Sequence, residues 1–420
     1  MPSPPPSWHG SGSTFLARLF PEETILATPA TPNPAVSTTS SEPAPLAQPR
    51  EVRVVVYGRA DCDDPASHPG TTLRNIAERV AALAGFRYAG SYDAVTHGAA
   101  TDRLYFVPAD TLTGIDSAHQ LGIASLHDLL GGVVPHDFVG TKAISHGLVA
   151  PDARAPEGWS QDFGARIEPY VLPGYTAFSV EDARRAGQAM LGGGKVRVKE
   201  PRGIGGLGQQ VVANAAELDA ALAALDARQI EREGLVLERN LEDVTTFSVG
   251  QVEVGDLRAS YCGTQGLTRN HAGELVYGGS TLRVVRGSLE DLCAHPIEAH
   301  LREAVQAALA YHAAAVACYP GTMVSRCNYD VAMGTDNGRQ RLGVLEQSWR
   351  VGGATGAELA ALAAFQADPQ CVRATASTRE IYGTDVPVPP GADVYYQGED
   401  RNVGPLTKYA ILESSSDGHT

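Results

Sequence analysis

KVRVKEPRGIGGLGQQVV, Lys195 to Val212, is the stretch on which the fold turns. A β-like run ends on Lys199, a loop with Gly203, Gly205, Gly206 and Gly208 follows, and Gln209–Val212 forms a second β-like run. Several unrelated machines hold phosphate with glycines beside a lysine, and the surrounding residues separate them. Gly203 to Gly208 satisfies G-x-G-x-x-G, yet a dinucleotide fold needs that loop to open directly into a helix. Here a strand intervenes, and no acidic residue ends the next strand about 20 residues on. A Walker A loop requires Lys-Ser/Thr after its last glycine, where this chain has Gln209-Gln210. In protein kinases the lysine and a DFG triplet come after the glycine loop; here Lys199 and the triplet Asp162-Phe163-Gly164 both come before it. A plain surface hairpin tolerates such glycines. Lys199, however, lies in an apolar strand, where a lysine is costly to bury without an anionic partner.

Outward from this stretch the chain alternates strands and helices. Upstream, FSVEDARRAGQAMLGGG pairs Ser179 with Asp182 in capping-box spacing and stops at Gly192–Gly194. Downstream, NAAELDAALAALDARQIEREG reads as a helix with Asn214 and Glu217 as cap pair and Gly234 at its end. Before both, EVRVVVYG (51–58) is a buried-strand pattern, and TTLRNIAERVAALAG places Leu73, Ile76, Val80 and Leu83 on one helical face. DRLYFVP is a further strand and SLHDLLGG the end of a further helix. Residues 51–140 therefore predict a small α/β unit with a mainly parallel sheet. From Gly234 onward long β segments predominate. TTFSVGQVEVGDLRASYCG predicts a hairpin turning at Gly255–Asp256, and RCNYDVAMGTDNGRQRLGVLEQSW another turning at Asp336-Asn337-Gly338. Between them lies the longest helical pattern, HPIEAHLREAVQAALAYHAAAVACY.

Composition bounds the function. With 43% hydrophobic and 19% charged residues, the 420-residue chain can bury a full core in two or three packed units. A net charge of −15 argues against sequence-independent binding of nucleic acid or anionic membrane as the main activity. The six cysteines form no C-x-x-C pair, and no apolar run reaches the roughly 20 residues of a membrane span. A cytoplasmic protein with reduced thiols is expected. Residues 1–50 hold 11 of the 27 prolines and read as a disordered arm. His295, His300 and His312 lack the i, i+4 spacing of a zinc pair.

After the glycine loop come, in order, the strand Val236–Leu241, the basic strand position Arg283, and a hairpin carrying Asp330 on one strand and Glu346 on its partner. Two carboxylates facing across an antiparallel pair offer a hard oxygen site suited to Mg²⁺. Each feature alone has an ordinary reading as a surface ion pair or turn cap. Their order favours one nucleotide site.

That order resembles the ATP-grasp superfamily over roughly residues 51–375, and is similar in wording (VRVKEP, VLEQSWR) to a bacterial branch with no assigned substrate. The resemblance implies an α/β chain: two α+β ATP-grasp subdomains, 141–235 and 236–375, preceded by the 51–140 unit and followed by an extension, 376–420. VGTKAISHGL resembles the segment of the first nucleotide lysine, Lys142, and RVKEPRGIGGLGQ that of the second, Lys199, with the phosphate-covering glycines. LVLERNL resembles the adenine hinge, in which Glu238 and the backbone of Leu241 would meet the base. NYDV and VLEQSWRVGGAT resemble the metal strands, with Asp330, Glu346 and, in place of the usual Asn, Ser348 as ligands. Arg350 is in register with an arginine that meets the reacting acyl-phosphate, and Arg283 would assist it. The resemblance implies ATP and Mg²⁺ as cofactors and an unidentified carboxylate and amine as substrates, with neither nucleic acid nor membrane as partner. A homodimer is compatible with it, as are nucleotide binding without turnover and a small-molecule kinase. The glycine-rich connection Gly266–Thr281, with Arg269, Asn270, His271 and Tyr277, is available for substrate or is an ordinary long hairpin.

Overall fold

The structure, a computed structural model, describes residues 51–58, 64, 67–97, 102–203 and 208–417. The N-terminal arm, Cys62, Gly205 and Gly206 lie outside them. The described residues form a mixed α/β fold with four sheets. Val52–Tyr57 is central in a three-stranded parallel sheet, flanked by Arg87–Ser91 and Arg103–Pro108. The expected helix forms over His68–Ala84. The Ser67 hydroxyl accepts from the Gly70 amide at 3.2 Å, and Gly85 at φ 68° provides the left-handed stop.

Two of the helix expectations are corrected. SLHDLLGG does not end a helix. The helix is the short Ile115–Gln120, while Ser125 and Asp128 close a capping box around one tight turn, Leu126–Asp128, before the chain extends into Gly132–Val134. The run after Asn214 forms two helices, Ala215–Ala223 and Ala227–Glu233. The Asp226 carboxylate accepts from the Arg228 amide at 3.0 Å, so a second helix start interrupts the first pattern.

The glycine-loop stretch belongs to a four-stranded sheet in the order Gly174–Ala177, Leu235–Arg239, Val196–Lys199, Gln209–Val212. Val198, Leu237, Val196 and Val212 point from one face into a core with the helices Val180–Leu191 and Ala215–Ala223. By the period of two, Lys199 and Glu238 project from the other face.

The largest element is an eight-stranded antiparallel sheet. Its spatial order is Arg339–Ser348, Arg326–Asp336, Glu242–Val254, Leu257–Arg269, Leu275–Arg286, Arg373–Tyr382, Gly404–Ser416, Asp393–Asp400. Both predicted hairpins are present, with Val254 opposite Leu257 and Asp336 opposite Arg339. The last 45 residues, mostly uninformative in the sequence, supply two whole strands of this same sheet and most of a third, Arg373–Tyr382. One face packs Val249, Cys262, Tyr329 and Val331 against the long helix Ala299–Cys318. The other packs Tyr261, Leu282 and Val284 against the helices His68–Ala84 and Thr355–Ala367.

A fully buried ion pair joins the second of these helices to the sheet. Arg326 donates to both Glu358 oxygens, at 2.6 and 3.1 Å, and Tyr261 donates to the same carboxylate at 2.6 Å. Neither charged side chain is more than 1% exposed. Removing one member strands the other charge in the core. Arg326→Met is therefore expected to cost about 3–5 kcal/mol in denaturant unfolding. The double variant Arg326→Met/Glu358→Leu should recover a large part of that loss, and equal destabilisation in both would contradict this account.

Candidate functional site

Lys199 and Glu238 are diagonal neighbours on the antiparallel strands of the smaller sheet, where Arg197 is registered against Glu238 and Lys199 against Val236. Both are essentially buried, and the Lys199 ammonium pairs with Glu238 Oε1. The second oxygen, Oε2, lies 3.3 Å from His146 Nε2, and His146 is itself 2% exposed. A Cβ on Gly174 would come within 2.7 Å of the His146 ring, so only glycine admits the imidazole here. Burial alone would raise the Glu238 pKa. The Lys199 charge and the His146 contact outweigh it and hold the carboxyl down to about 2. Lys199 therefore keeps its compensating anion at any physiological pH.

Lys142 arrives from a different part of the chain. Thr141 caps the single turn Lys142–Ser145, its hydroxyl accepting from the Ala143 amide at 3.2 Å. Gln347 pins this turn to the edge strand of the large sheet: its amide donates to Val139 O at 2.8 Å and Thr141 O at 2.7 Å. Ser145 adds a bond to Leu345 O at 3.1 Å. From this mount the Lys142 ammonium reaches Glu346 Oε2 at 2.6 Å and donates to the carbonyl of Gly203, the first glycine of the loop. The loop base is tied a second time where Arg202 pairs with Asp137. Glu200 N bonds Gly208 O at 2.9 Å, closing the mouth of the hairpin.

Glu346 stands directly opposite Asp330. Gln265 and Asn328 donate to Asp330 Oδ1 at 2.7 and 2.8 Å. Burial first, and the Glu346 carboxylate second, push the Asp330 pKa up to about 7. Two carboxylates held this close compete for one proton, and a divalent cation relieves the same repulsion. The donors fit such an ion: Asp330, Glu346 and the hydroxyl of Ser348, whose strand position is registered with Asn328. Among the described residues no group of three or more His, Cys, Asp or Glu side chains is placed to hold a metal.

The remaining expected residues divide. Leu241 is buried against Leu172, Ala332 and Leu345 at the joint between the two sheets. Arg350 lies beyond the edge strand, its Nε 3.6 Å from Asp110 Oδ1 and its Nη1 donating to Val351 O at 3.0 Å. Arg283 does not reach this cleft. The row of paired residues from Asp330 runs through Ser248 and Gly263 to Leu282, so Arg283 points from the opposite face, beside Cys262. There it is exposed and pairs with Glu298 at 2.6 Å.

Of the glycine-rich connection, Arg269, Asn270 and His271 are spent at the exposed tip, on Gly273 O, Glu274 and Pro405 O. Tyr277 alone turns inward, bonding Ser280 Oγ at 2.7 Å, on the face that carries Gln265 and Asp330. A Cβ on Gly353 would meet its ring at 2.4 Å, so glycine there lets the segment after Arg350 close against it. Sequence reasoning missed His146, Gln265, Asn328 and Gln347. Only Gln347 and Asn328 carried a signal, as polar residues within apolar strands beside the proposed ligands.

A family model described as "Protein of unknown function (DUF3182)" matches residues 56–410. No curated protein matches the chain. Among solved structures, carboxyaminoimidazole ribonucleotide synthase from Aspergillus clavatus, complexed with ATP, is 14% identical, covering 86% of this chain and 93% of its own, with a TM-score of 0.43. A biotin carboxylase complex from Campylobacter jejuni is 11% identical, covering 86% and 87%, at 0.45. D-alanine–D-alanine ligase from Bacillus anthracis is 12% identical, covering 71% and 87%, at 0.41. At these scores the likeness assigns no role to any residue.

Because Glu238 is ionised down to about pH 2 against an ordinary 4.5, its contribution to stability is complete above about pH 4.5 and fades as pH falls toward 2. Glu238→Gln should therefore lower the denaturation midpoint at pH 7, and the gap to wild type should shrink below pH 4.5. A gap that grows on acidification would refute the assignment.

Proposed function

The chain belongs to the DUF3182 family, and from the geometry of its cleft we propose that it is an ATP- and Mg²⁺-dependent ligase of ATP-grasp type, activating a carboxylate as an acyl-phosphate for attack by an amine-type nucleophile. One observation carries the reading. Lys142 touches Glu346 and the carbonyl of Gly203 at once, so the base of the glycine loop meets the carboxylate pair, and the turn that carries Lys142 leads directly into His146, the partner of the Glu238 that pairs with Lys199. In this reading the first subdomain keeps its expected bounds, 141–235, and the second, expected at 236–375, runs on through residue 416, because the strands Arg373–Tyr382, Asp393–Asp400 and Gly404–Ser416 belong to its sheet.

Each residue then has a physical task. Lys142 and Lys199 supply point charges for phosphate oxygens, which would take over from Glu346 and Glu238 as their anions. The amides of the loop, Gly203 and Gly208 at its described ends, cover the phosphates and exclude water. Asp330, Glu346 and Ser348 would hold Mg²⁺, which when bound offsets charge on the transferred phosphoryl group. Arg350 presents a planar fork to a carboxylate or acyl-phosphate. Glu238, engaged on both oxygens, sets the position of Lys199, while Leu241 lines the joint where the adenine ring would lie.

Isothermal titration with ATP and Mg²⁺, beside an ADP-release assay on pooled carboxylates and amines, tests the reading. Lys199→Ala should reduce turnover at least about 100-fold, by analogy with loss of one preorganised donor. Asp330→Asn should bind ATP without a Mg²⁺-dependent gain in affinity. Absence of ATP binding by the wild-type protein would end the proposal, and a stable phosphorylated product would favour the kinase alternative.

A further inference from the structure

The buried network behind Asp330 is short of a proton. Tyr261 has a single hydroxyl hydrogen, and three acceptors surround it: Glu358 Oε1 at 2.6 Å, Asn328 Oδ1 at 3.1 Å and Cys327 O at 3.4 Å. Glu358 is the nearest of them and, paired with Arg326, is a charged acceptor, so the hydrogen is spent there. Burial first, and the Glu358 charge second, push the phenol well above its ordinary pKa, so it keeps that hydrogen. Tyr261 Oη and Asn328 Oδ1 then face each other at 3.1 Å with no hydrogen between them. Asn328 is only 8% exposed, and a buried carbonyl without a donor is costly.

Strand register fixes this contact. Gly250 is registered against Tyr261 on one side and Asn328 on the other, so the three stand in one row across adjacent strands. A Cβ on Gly250 would collide with the phenol oxygen, and glycine is what lets Tyr261 reach Asn328. The row continues to Ser348, and the next row on that face pairs Asp330 with Glu346. Four oxygen-bearing side chains therefore share one patch of the sheet.

An asparagine amide turned through 180° exchanges its ends with almost no change of shape. Turned in this way, Asn328 donates to the free lone pair of Tyr261. Its carbonyl oxygen takes the place of the nitrogen that stands 2.8 Å from Asp330 Oδ1. Two oxygens so close repel unless a cation touches both, and their spacing is near the roughly 3 Å between adjacent oxygens around Mg²⁺ with bonds of about 2.1 Å. Asp330 keeps a donor throughout, because Gln265 bonds the same oxygen at 2.7 Å. Each arrangement of the amide thus leaves one conflict, against Tyr261 or against Asp330. A divalent cation removes the second conflict and not the first, so its binding selects the turned amide.

We propose that Asn328 is a ligand of the cation held by Asp330 and Glu346, its amide turning over as the ion binds, with Tyr261 and Glu358 as the positioning residues that aim its carbonyl. The inference rests on the reading of Asp330 and Glu346 as a metal pair, and it adds Asn328 to Ser348 as an oxygen donor on that face.

Free Mn²⁺, counted by electron paramagnetic resonance against the full chain without nucleotide and with ATP, tests this. Asn328→Leu should bind Mn²⁺ at least about tenfold more weakly than wild type, and Asn328→Asp, which keeps an oxygen in place, no more weakly. Tyr261→Phe, which removes the acceptor behind the amide and touches neither carboxylate, should also cost about tenfold. An Asn328 that serves only as a donor to Asp330 predicts no weakening in either the Leu or the Phe variant. Undiminished binding in Asn328→Leu or in Tyr261→Phe, or equal loss in Asn328→Leu and Asn328→Asp, would overturn the assignment while wild-type Mn²⁺ binding preserves the metal pair. No Mn²⁺ binding by wild type in either condition would end both. The expected pattern without any ATP binding would sink the ligase reading and leave Asn328 as a ligand.

Discussion

Charge balance in a buried cleft is the constraint around which the molecule is organised. Two lysines and three carboxylates form two sets of contacts, Lys199 with Glu238 and Lys142 with Glu346 beside Asp330, joined by the turn that runs from Lys142 to His146, and each charge is too costly to desolvate alone. Lys199 is matched by Glu238, and Lys142 by Glu346, leaving Asp330 as the group that cannot ionise cheaply. The elements bringing these charges together come from four regions of the chain: the Thr141 turn, the glycine-loop strands, the strand Leu235–Arg239, and the hairpin of Asp330 and Glu346. A polyphosphate with a divalent cation has the charges needed to replace this internal matching. In the proposed reading the lysines would exchange protein anions for phosphate, and the carboxylates would exchange a lysine and a proton for the metal.

Alternation along the edge strand arranges this set. Glu346 and Gln347 point to opposite faces, and the same turn, Thr141–Ser145, serves both. Gln347 grips its backbone carbonyls, while Lys142 reaches Glu346. The proposed ion would therefore sit on the face shared with Asp330, while the mount of the lysine is anchored on the face packed against the long helix. Deeper in the same sheet, Arg326 and Glu358 fix the strand of Asn328 and Asp330 against the helix Thr355–Ala367. Tyr261 links that pair to Asn328 at 3.1 Å. The carboxylate site thus rests on a core that is itself held by a buried charge pair.

Much of this was legible from residue types and order. Caps at Ser179 and Asn214, the turn at Asp336–Gly338 and the strands on either side of the glycine loop all follow from local chemistry, and they recur in the structure. The misreadings have a common cause. Asp226 offers a local cap strong enough to break a helical pattern that continues past it, and Ser125 with Asp128 satisfies a capping box in only one turn. Arg283 appeared suitable because it is a basic residue on a strand of the right sheet. Which face it occupies depends on the register of three intervening strands, and a shift of one residue would have reversed the answer.

By itself the amino-acid sequence determined the local elements, the order of the lysines, glycines and carboxylates, and the conclusion that a buried Lys199 needs an anion. Only the tertiary structure decided which anion that is, that Lys142 bridges Glu346 and the glycine loop, and that His146, Gln265 and Gln347 complete the arrangement. It also decided that Arg283 is elsewhere and that residues 393–416 close the large sheet. The physical reason is that capping, periodicity and turn chemistry act over a few residues. Charge pairing at the site joins residues 39 positions apart in Lys199–Glu238 and 204 apart in Lys142–Glu346, and strand register sets which of them meet.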